Sequence, residues 1–600
     1  MRRHAAGGGP GLAAAVHDHP QPRPHVHHRR AELGPGGPLG RPEAPLRFRP
    51  AGDLALSVVL GDEISVALNT RVRALEYLIQ EKALAGVTET VPTFAALLVY
   101  YDPDATDYET LCDAIRALAP QADTVVLPEA RRVELPCCYD PEYGLDLDAA
   151  ARRLGLSVAE LVALHAGAEY LVYFIGFTPG LPYMAGMPER LHIPRLTTPR
   201  TRVPAGSVGI GGSQCCIYSV ESPGGYWILG RTPSRLYDPD RDEPTLLRPG
   251  DRVRFRPISR SEFEALEAAA QAEAAARART RAAAAPAGPG PGVQVHEPGA
   301  QTTVQDLGRP GQLRFGIPPS GPIDVRAFVL ANRLVGNPDG AAALECTVQG
   351  PRFEVDAPCA IAVTGADMPV TVNGVPAPAW TTLPLRAGDM VRVGAARHGV
   401  RAYVAFSGGL DVPLVLGSRA TYLRGRLGGL EGRALRRGDR LRLFPAPLPP
   451  RRRVRPEAVV DVEAPPTIRV VLGPQDDRFT PEGIAALLGA EYEMLPQSDR
   501  MGARLRGPAV THRRGHDIIS DGIALGSIQV PGDGQPIVLL VDRQSTGGYT
   551  KVATVCSFDI GRLGQVKPGQ RLRFEALGLA DAHRARRAWR AALDGLVTAE

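Results

Sequence analysis

Lysine is nearly missing from this chain. Of 69 basic residues only Lys82, Lys551 and Lys567 are lysines; the rest are arginine. That shortage removes two motifs built on a lysine. There is no G-x-x-x-x-G-K-[ST], so any ATP is bound without a P-loop. There is also no A-M-K-M sequence, hence no biotin attachment site. The eight cysteines include two adjacent pairs, Cys137–Cys138 and Cys215–Cys216, but no C-x-x-C. This argues against a zinc site and against a disulfide framework, so no metal site is expected and the cysteines read as reduced core residues of a cytoplasmic protein. No apolar run approaches the ~20 residues of a membrane span, so no membrane partner is expected. Aromatic residues make up 6% and never interleave with a basic stripe, while the net charge of +5 is small for 600 residues. These features argue against nucleic acid as a partner.

Glycine and proline are abundant, at 66 and 57 residues. With few long periodic helices, they imply an α+β architecture that is mostly β and rich in turns. Residues 1–52 are rich in Pro, Gly, Arg and His without periodicity and read as a disordered, dispensable extension. Residues 53–135 alternate strand and helix patterns in the order βαββαβ, a ferredoxin-like domain whose last strand is RRVELPCCY. Residues 136–258 begin with a helical pair and continue as strands between Gly/Pro turns, which reads as a barrel. An Ala-rich helix and a Pro/Gly linker occupy 259–292. The stretch 293–580 is again strand and turn, read as two barrel subdomains, and 581–600 read as a C-terminal helix. An R-x-G-D turn followed by an alternating strand recurs at 248, 386 and 436, with a looser copy, KPGQ, at 567. The repetition suggests related small barrels in series, with structural arginines.

Two stretches, 176–232 and 520–551, pack Gly, Pro, Arg and hydroxyl residues between short apolar runs, the composition of a polar cleft on a β scaffold. The words FIGFTPGLPYMAGMP, PRTRVPAGSVGIGGSQ and SPGGYWILGRTP resemble the first of the paired modules called allophanate hydrolase subunits 1 and 2. The words TTVQDLGRPG, PQSDRMGARLRG and DRQSTGGYTKVATV resemble the second. These modules are similar to the B and C subunits of 5-oxoprolinase, also described as a Kip-type sensor-kinase inhibitor and its antagonist. They also form the carboxyltransferase part of urea carboxylase. The resemblance covers about residues 53–580 and implies a fusion of B and C built on cyclophilin-like barrels. The sequence departs from the usual pattern at Cys215–Cys216, where Thr-Gly is common, at Ser545, where threonine is usual, and at Leu181, where phenylalanine is frequent.

The resemblance implies a component of an ATP-dependent 5-oxoprolinase, a hydrolase that opens the lactam of 5-oxo-L-proline to L-glutamate. ATP is then the cosubstrate, with Mg2+ accompanying the nucleotide, and a 5-oxoprolinase A-type subunit is the partner; a homo-oligomer is compatible. The alternatives are a carboxyltransferase served by biotin on another polypeptide and a non-catalytic regulator of a sensor kinase. Opening a stable lactam needs donors for phosphate and oxyanion and a general base. In the first module the candidates are Arg200, Arg202 and Gln214 for catalysis, with Gly206, Ser207, Tyr218, Arg231 and Thr232 for binding. His165 reads either as a base or as a satisfied core histidine. In the second module Asp499, Asp521 and Lys551 are the catalytic candidates. Arg500, Gln529, Gln544, Thr546, Gly547 and Gly548 are the binding ones, the Gly-Gly turn offering backbone N–H groups to a phosphate. The alternative for 545–551 is a hairpin closed by hydroxyl bonds.

Overall fold

The computed structural model describes residues 45–599 except 242, 285–289, 457, 458, 460 and 461. The extension expected over 1–52 therefore lies mostly outside the described residues, but its last part does not. Arg47–Pro50 form β1, which pairs antiparallel with β2 (Ala55–Val59). After α1 (Val66–Glu81) come β3 (Val87–Pro92), β4 (Ala96–Tyr101) and α2 (Tyr108–Leu118), and the sheet order is β1-β2-β4-β3. Ser65 and Asp107 cap the two helices through the backbone N–H groups of Leu68 and Thr110. The helices bury Val72, Leu75 and Ile115 against Leu56, Val58, Leu97 and Val99.

The expected last strand of this domain goes elsewhere. β5 (Arg132–Cys138) pairs parallel with a distant strand, Arg252–Ile258, over seven residues, so a boundary at 135 cuts through it. Leu135 and Cys137 face a different core, and β1 takes the sheet edge left free beside β2. The helical pair appears as α3 (Leu147–Leu154) and α4 (Val158–Gly167), the second opened by a capping box between Ser157 and Glu160. The strands that follow are β6 (Tyr170–Ile175), β7 (Pro182–Ala185), β8 (Arg200–Val203), β9 (Ser207–Gly211), β10 (Gln214–Ile217), β11 (Ser222–Gly224), β12 (Trp227–Arg231) and β13 (Arg252–Ile258). Together with β5, six of these strands close a barrel in the order β10-β7-β6-β13-β5-β12-β9, while β8 and β11 pair as a separate ribbon. Helix α5 (Arg260–Ala284) follows.

The second module repeats this plan once. Strands Thr467–Leu472, Glu491–Met494, Gly502–Arg506, Ser527–Gln529, Ile537–Leu539, Lys551–Val555 and Arg571–Ala576 close a barrel whose first and last strands are again parallel neighbours. Asp517–Gly522 and Thr546–Tyr549 form the matching ribbon. Before it, residues 292–454 are not the closed barrel expected there. They make a six-stranded and a five-stranded sheet that share one core, with Val293, Phe353 and Val391 meeting Leu344, Ile361 and Phe406. The C-terminal helix spans Leu579–Leu593, and Val597–Ala599 then return as a strand beside Arg452–Val454.

The repeated R-x-G-D turn is structural, as expected. Its glycines, Gly250, Gly388 and Gly438, all adopt positive φ. In each copy the aspartate accepts a backbone N–H three residues back: Asp251 from Arg248, Asp389 from Arg386, Asp439 from Arg436. Gln570 does the same for Lys567 in the fourth copy. A side chain that closes its own turn frees the next strand to pair at once.

Candidate active site at the second barrel

The second-module residues converge where the Asp517–Gly522 ribbon crosses the barrel. Asp521 pairs with Gly547 across the ribbon, which sets its carboxylate beside the strand that begins at Lys551. Lys551 is 1% exposed, and its Nζ lies 3.3 Å from Asp521 Oδ2. Gln475 completes the unit: its Nε2 donates to Asp521 Oδ2 at 3.1 Å, and its Oε1 accepts the Lys551 backbone N–H at 3.1 Å. The other oxygen, Oδ1, accepts Gly522 N–H at 2.7 Å. A buried ammonium with one carboxylate partner fixes the direction of that carboxylate. Gln529 and Gln544 crowd the same turn. A Cβ on Gly547 would lie 2.8 Å from Ile523 Cδ1, 2.9 Å from Gln544 Nε2 and 3.0 Å from Gln529 Nε2, so a larger residue there would push these side-chain ends aside.

Asp521 forms part of the wall of a cavity of ≈340 Å³ between this ribbon and the N-terminal sheet. Across from it stand Arg47 and Arg49 of β1, with Gln475, Arg478 and Ser520 on the barrel side. Arg47 pairs with Asp62, and Arg49 reaches Asp477 at 3.6 Å. Lys551 itself stands behind Asp521 rather than in the open space. Arg47, Arg49, Gln475 and Arg478 are not among the residues that the sequence singles out. The string PQDDRF at 474–479 is the one available signal, as a Pro-led polar turn between a strand and a helix.

Several expected site residues are committed elsewhere. Arg500 is a buried scaffold residue, pairing with Glu345, donating to Asp542 at 3.0 Å and to Gly321 O at 2.7 Å. Asp499 is exposed, closing its own turn with Met501 N–H and meeting Arg424 at 3.2 Å. Thr546 accepts Phe177 N–H at 3.2 Å, which joins the two modules' signature loops. The ribbon position Gly548 lies against Ile518 O and Ser520.

The first-module set does not assemble into one cleft. His165 is 0% exposed, stacks on Phe255 and shares a 2.7 Å hydrogen bond with Tyr139 OH. Burial pushes its pKa down to about 3, so it stays neutral and serves the core rather than acting as a base. Arg200 pairs with Asp146, which caps Ile228 N–H; exposed Arg202 pairs with Glu221. Arg231 donates to Ala205 O and reaches Glu267 of α5, tying helix to barrel. Gln214 accepts from Tyr226 OH at 2.7 Å and from Arg195 at 3.2 Å. Tyr218 is buried against Tyr226. Gly206, at φ +84°, opens the β9 turn; Gly206 O accepts Thr232 N–H and Ser207 O accepts Tyr218 N–H.

A model of the carboxyltransferase domain, subdomains C and D, matches residues 46–247, and one of subdomains A and B matches 315–576. The chain is 38% identical over 292 residues to the C subunit of 5-oxoprolinase from Escherichia coli, covering 92% of that protein. It is likewise 38% identical over 225 residues to the B subunit of 5-oxoprolinase from Bacillus subtilis, covering 93% of it. The chain belongs to the carboxyltransferase-domain family. Within that family it joins the B-like and C-like modules in one polypeptide. The crystal structure of TTHA0988 shares this layout, with a TM-score of 0.74 at 34% identity over 87% of this chain and 99% of that one. Urea amidolyase of Lachancea kluyveri is 34% identical over 331 residues, but the chain covers only 18% of it.

The family departures at Cys215, Cys216 and Leu181 fall in cores rather than at the cavity. Cys215 points into the first barrel beside His165, and Cys216 into an aromatic cluster with Leu181, Phe94 and Phe174. Burial raises both thiols far above their ordinary range, so both are inert.

Proposed function

We propose that this chain is the fused B and C component of an ATP-dependent 5-oxoprolinase that opens 5-oxo-L-proline to L-glutamate with a separate A-type partner. One observation carries the reading. The chain covers more than nine-tenths of both a B and a C subunit, against 16–25% of urea amidolyases and a urea carboxylase. The cavity at Asp521 supplies matching chemistry. Its guanidiniums suit a phosphate, and Asp521, oriented by Lys551 and Gln475 at the cavity wall, suits a general base.

In this scheme the γ-phosphoryl of ATP passes to the lactam oxygen and ADP leaves. Water adds to the activated carbon, its proton going to Asp521, and the ring C–N bond breaks to free the amine. A second water releases the phosphate from the glutamyl carboxyl. Mg2+ enters with the nucleotide. Among the described residues no group of three His, Cys, Asp or Glu side chains converges as metal ligands, so phosphate oxygens would supply much of its coordination.

A carboxyltransferase role is the second reading, favoured by the 34% identity with urea amidolyase over 331 residues, half of this chain. The assay that separates them measures glutamate from 5-oxoproline and ATP, with and without a purified A-type partner. Turnover only with both proteins is expected. Transfer of a carboxyl group from carboxybiotin, with no glutamate formed, would establish the second reading instead.

A further inference from the structure

A second cavity, of ≈420 Å³, lies on another side of the N-terminal sheet. Four main parts of the chain enclose it: α1, residues 127–131, the turn at 248–251 of the first barrel, and Arg314–Phe315 of the second module. Its charges do not all cancel internally. Arg131 pairs with Asp251, and Arg248 with Glu243. That leaves Arg73 and Arg314 on the positive side. Arg73 donates only to the neutral oxygens of Asn69 and Thr70, and Arg314 meets no carboxylate within ion-pair distance among the described residues.

Glu76 stands one turn along α1 from Arg73. Its Oε1 accepts Thr90 Oγ1–H at 3.0 Å and Gln80 Nε2–H at 3.3 Å. Burial pushes this carboxyl up to about 7, against the pull of Thr90, Arg314 and Arg73. Glu89 on β3 is turned to the Leu313 backbone at 2.6 Å, and Glu129 stands at the rim. Tyr77, Pro92 and Phe315 add an apolar wall.

We propose that this cavity binds a small zwitterion of amino-acid size, its carboxylate on Arg73 and Arg314 and its ammonium on Glu76. A simple anion would meet Glu76 as a like charge, and a simple cation would meet the guanidiniums; only a zwitterion satisfies both. The site stands apart from Asp521 and does not depend on the lactam reading. Because it bridges both modules, its occupant would tie the fusion together across the seam.

Calorimetric titration of the full chain tests this with L-glutamate and glutarate, which differ only in the ammonium group. L-Glutamate should bind at pH 8, and about tenfold more weakly at pH 6 as Glu76 takes a proton. Glutarate should bind at least roughly tenfold more weakly than glutamate at pH 8. Glu76→Gln should weaken glutamate binding and abolish its pH dependence. The exposed Arg314→Met should weaken it with an unchanged melting curve, and Asp521→Asn should leave it intact. Glutarate binding as well as glutamate, affinity rising toward pH 6, no saturable heat, or loss in Asp521→Asn alone would each overturn the proposal.

Discussion

Lys551 is one of three lysines among 69 basic residues, and it is the one locked into the second barrel against Asp521. Lys551 is buried there, and a compact ammonium on one carboxylate is not equivalent to the wider, planar guanidinium fork. Lys551→Arg should therefore reduce reconstituted turnover as badly as Lys551→Met, by roughly 10²-fold or more. Lys551→Met should also cost about 3–5 kcal/mol of stability, because it strands a buried carboxylate. The double variant Lys551→Met/Asp521→Leu should regain most of that stability in denaturant melts but none of the activity. Recovery of turnover in the double variant would show that the pair only packs. His165 makes the opposite case. Its pKa of about 3 lies below the unfolded value of about 6.5, so the unfolded chain binds the extra proton. The stability this gives is whole above pH 6.5 and is lost as pH falls toward 3. Against His165→Leu, the wild-type advantage should shrink by about 1.4 kcal/mol per pH unit below 6.5, while the variant keeps the wild-type pH profile of turnover.

At the scale of elements, β1 changes the meaning of the N-terminal segment. The strand closes the sheet edge and brings Arg47 and Arg49 to the cavity wall. A chain starting at Pro45 should keep its melting temperature and turnover. One starting at Ala51 should lose several degrees and most activity; equal melting curves for the two would contradict the pairing seen here. This element also shows what a sequence conceals. The run LALSVVL and the helices after it are legible from their periodicity, and so are the R-x-G-D turns. RRVELPCCY is legible as a strand, but its partner β13 lies over a hundred residues away, and nothing local in it chooses between a sheet edge and a barrel. The site divides in the same way. Asp521, Gln529, Gln544, Gly547 and Lys551 stand out because they share one short stretch of sequence, 520–551. Arg47 and Gln475 are brought to that turn by folding alone. The conspicuous Arg200, Arg202 and Arg231 mislead because their partners Asp146, Glu221 and Glu267 carry no motif.

At the scale of the whole molecule, the two modules are built into each other. Asp53 accepts Ser557 N–H at 2.8 Å, Arg543 donates to Tyr100 OH at 2.7 Å, and His583 contacts Tyr101 OH at 3.2 Å. With Phe177 N–H on Thr546, these contacts are buried or partly so and join residues hundreds of positions apart. Co-expressed as separate chains 45–284 and 290–600, the modules should co-purify as a 1:1 complex; independent elution on gel filtration would contradict this interface. Among the described residues no helix is long and apolar enough to cross a membrane. We propose that lactam opening runs at the Asp521 cavity. Its most direct test is glutamate formation by Asp521→Asn, a change that keeps the shape of the side chain, in the presence of the A-type partner. The account predicts a loss of roughly 10²-fold or more with the assembled complex intact. Turnover within a few-fold of wild type would place the chemistry elsewhere.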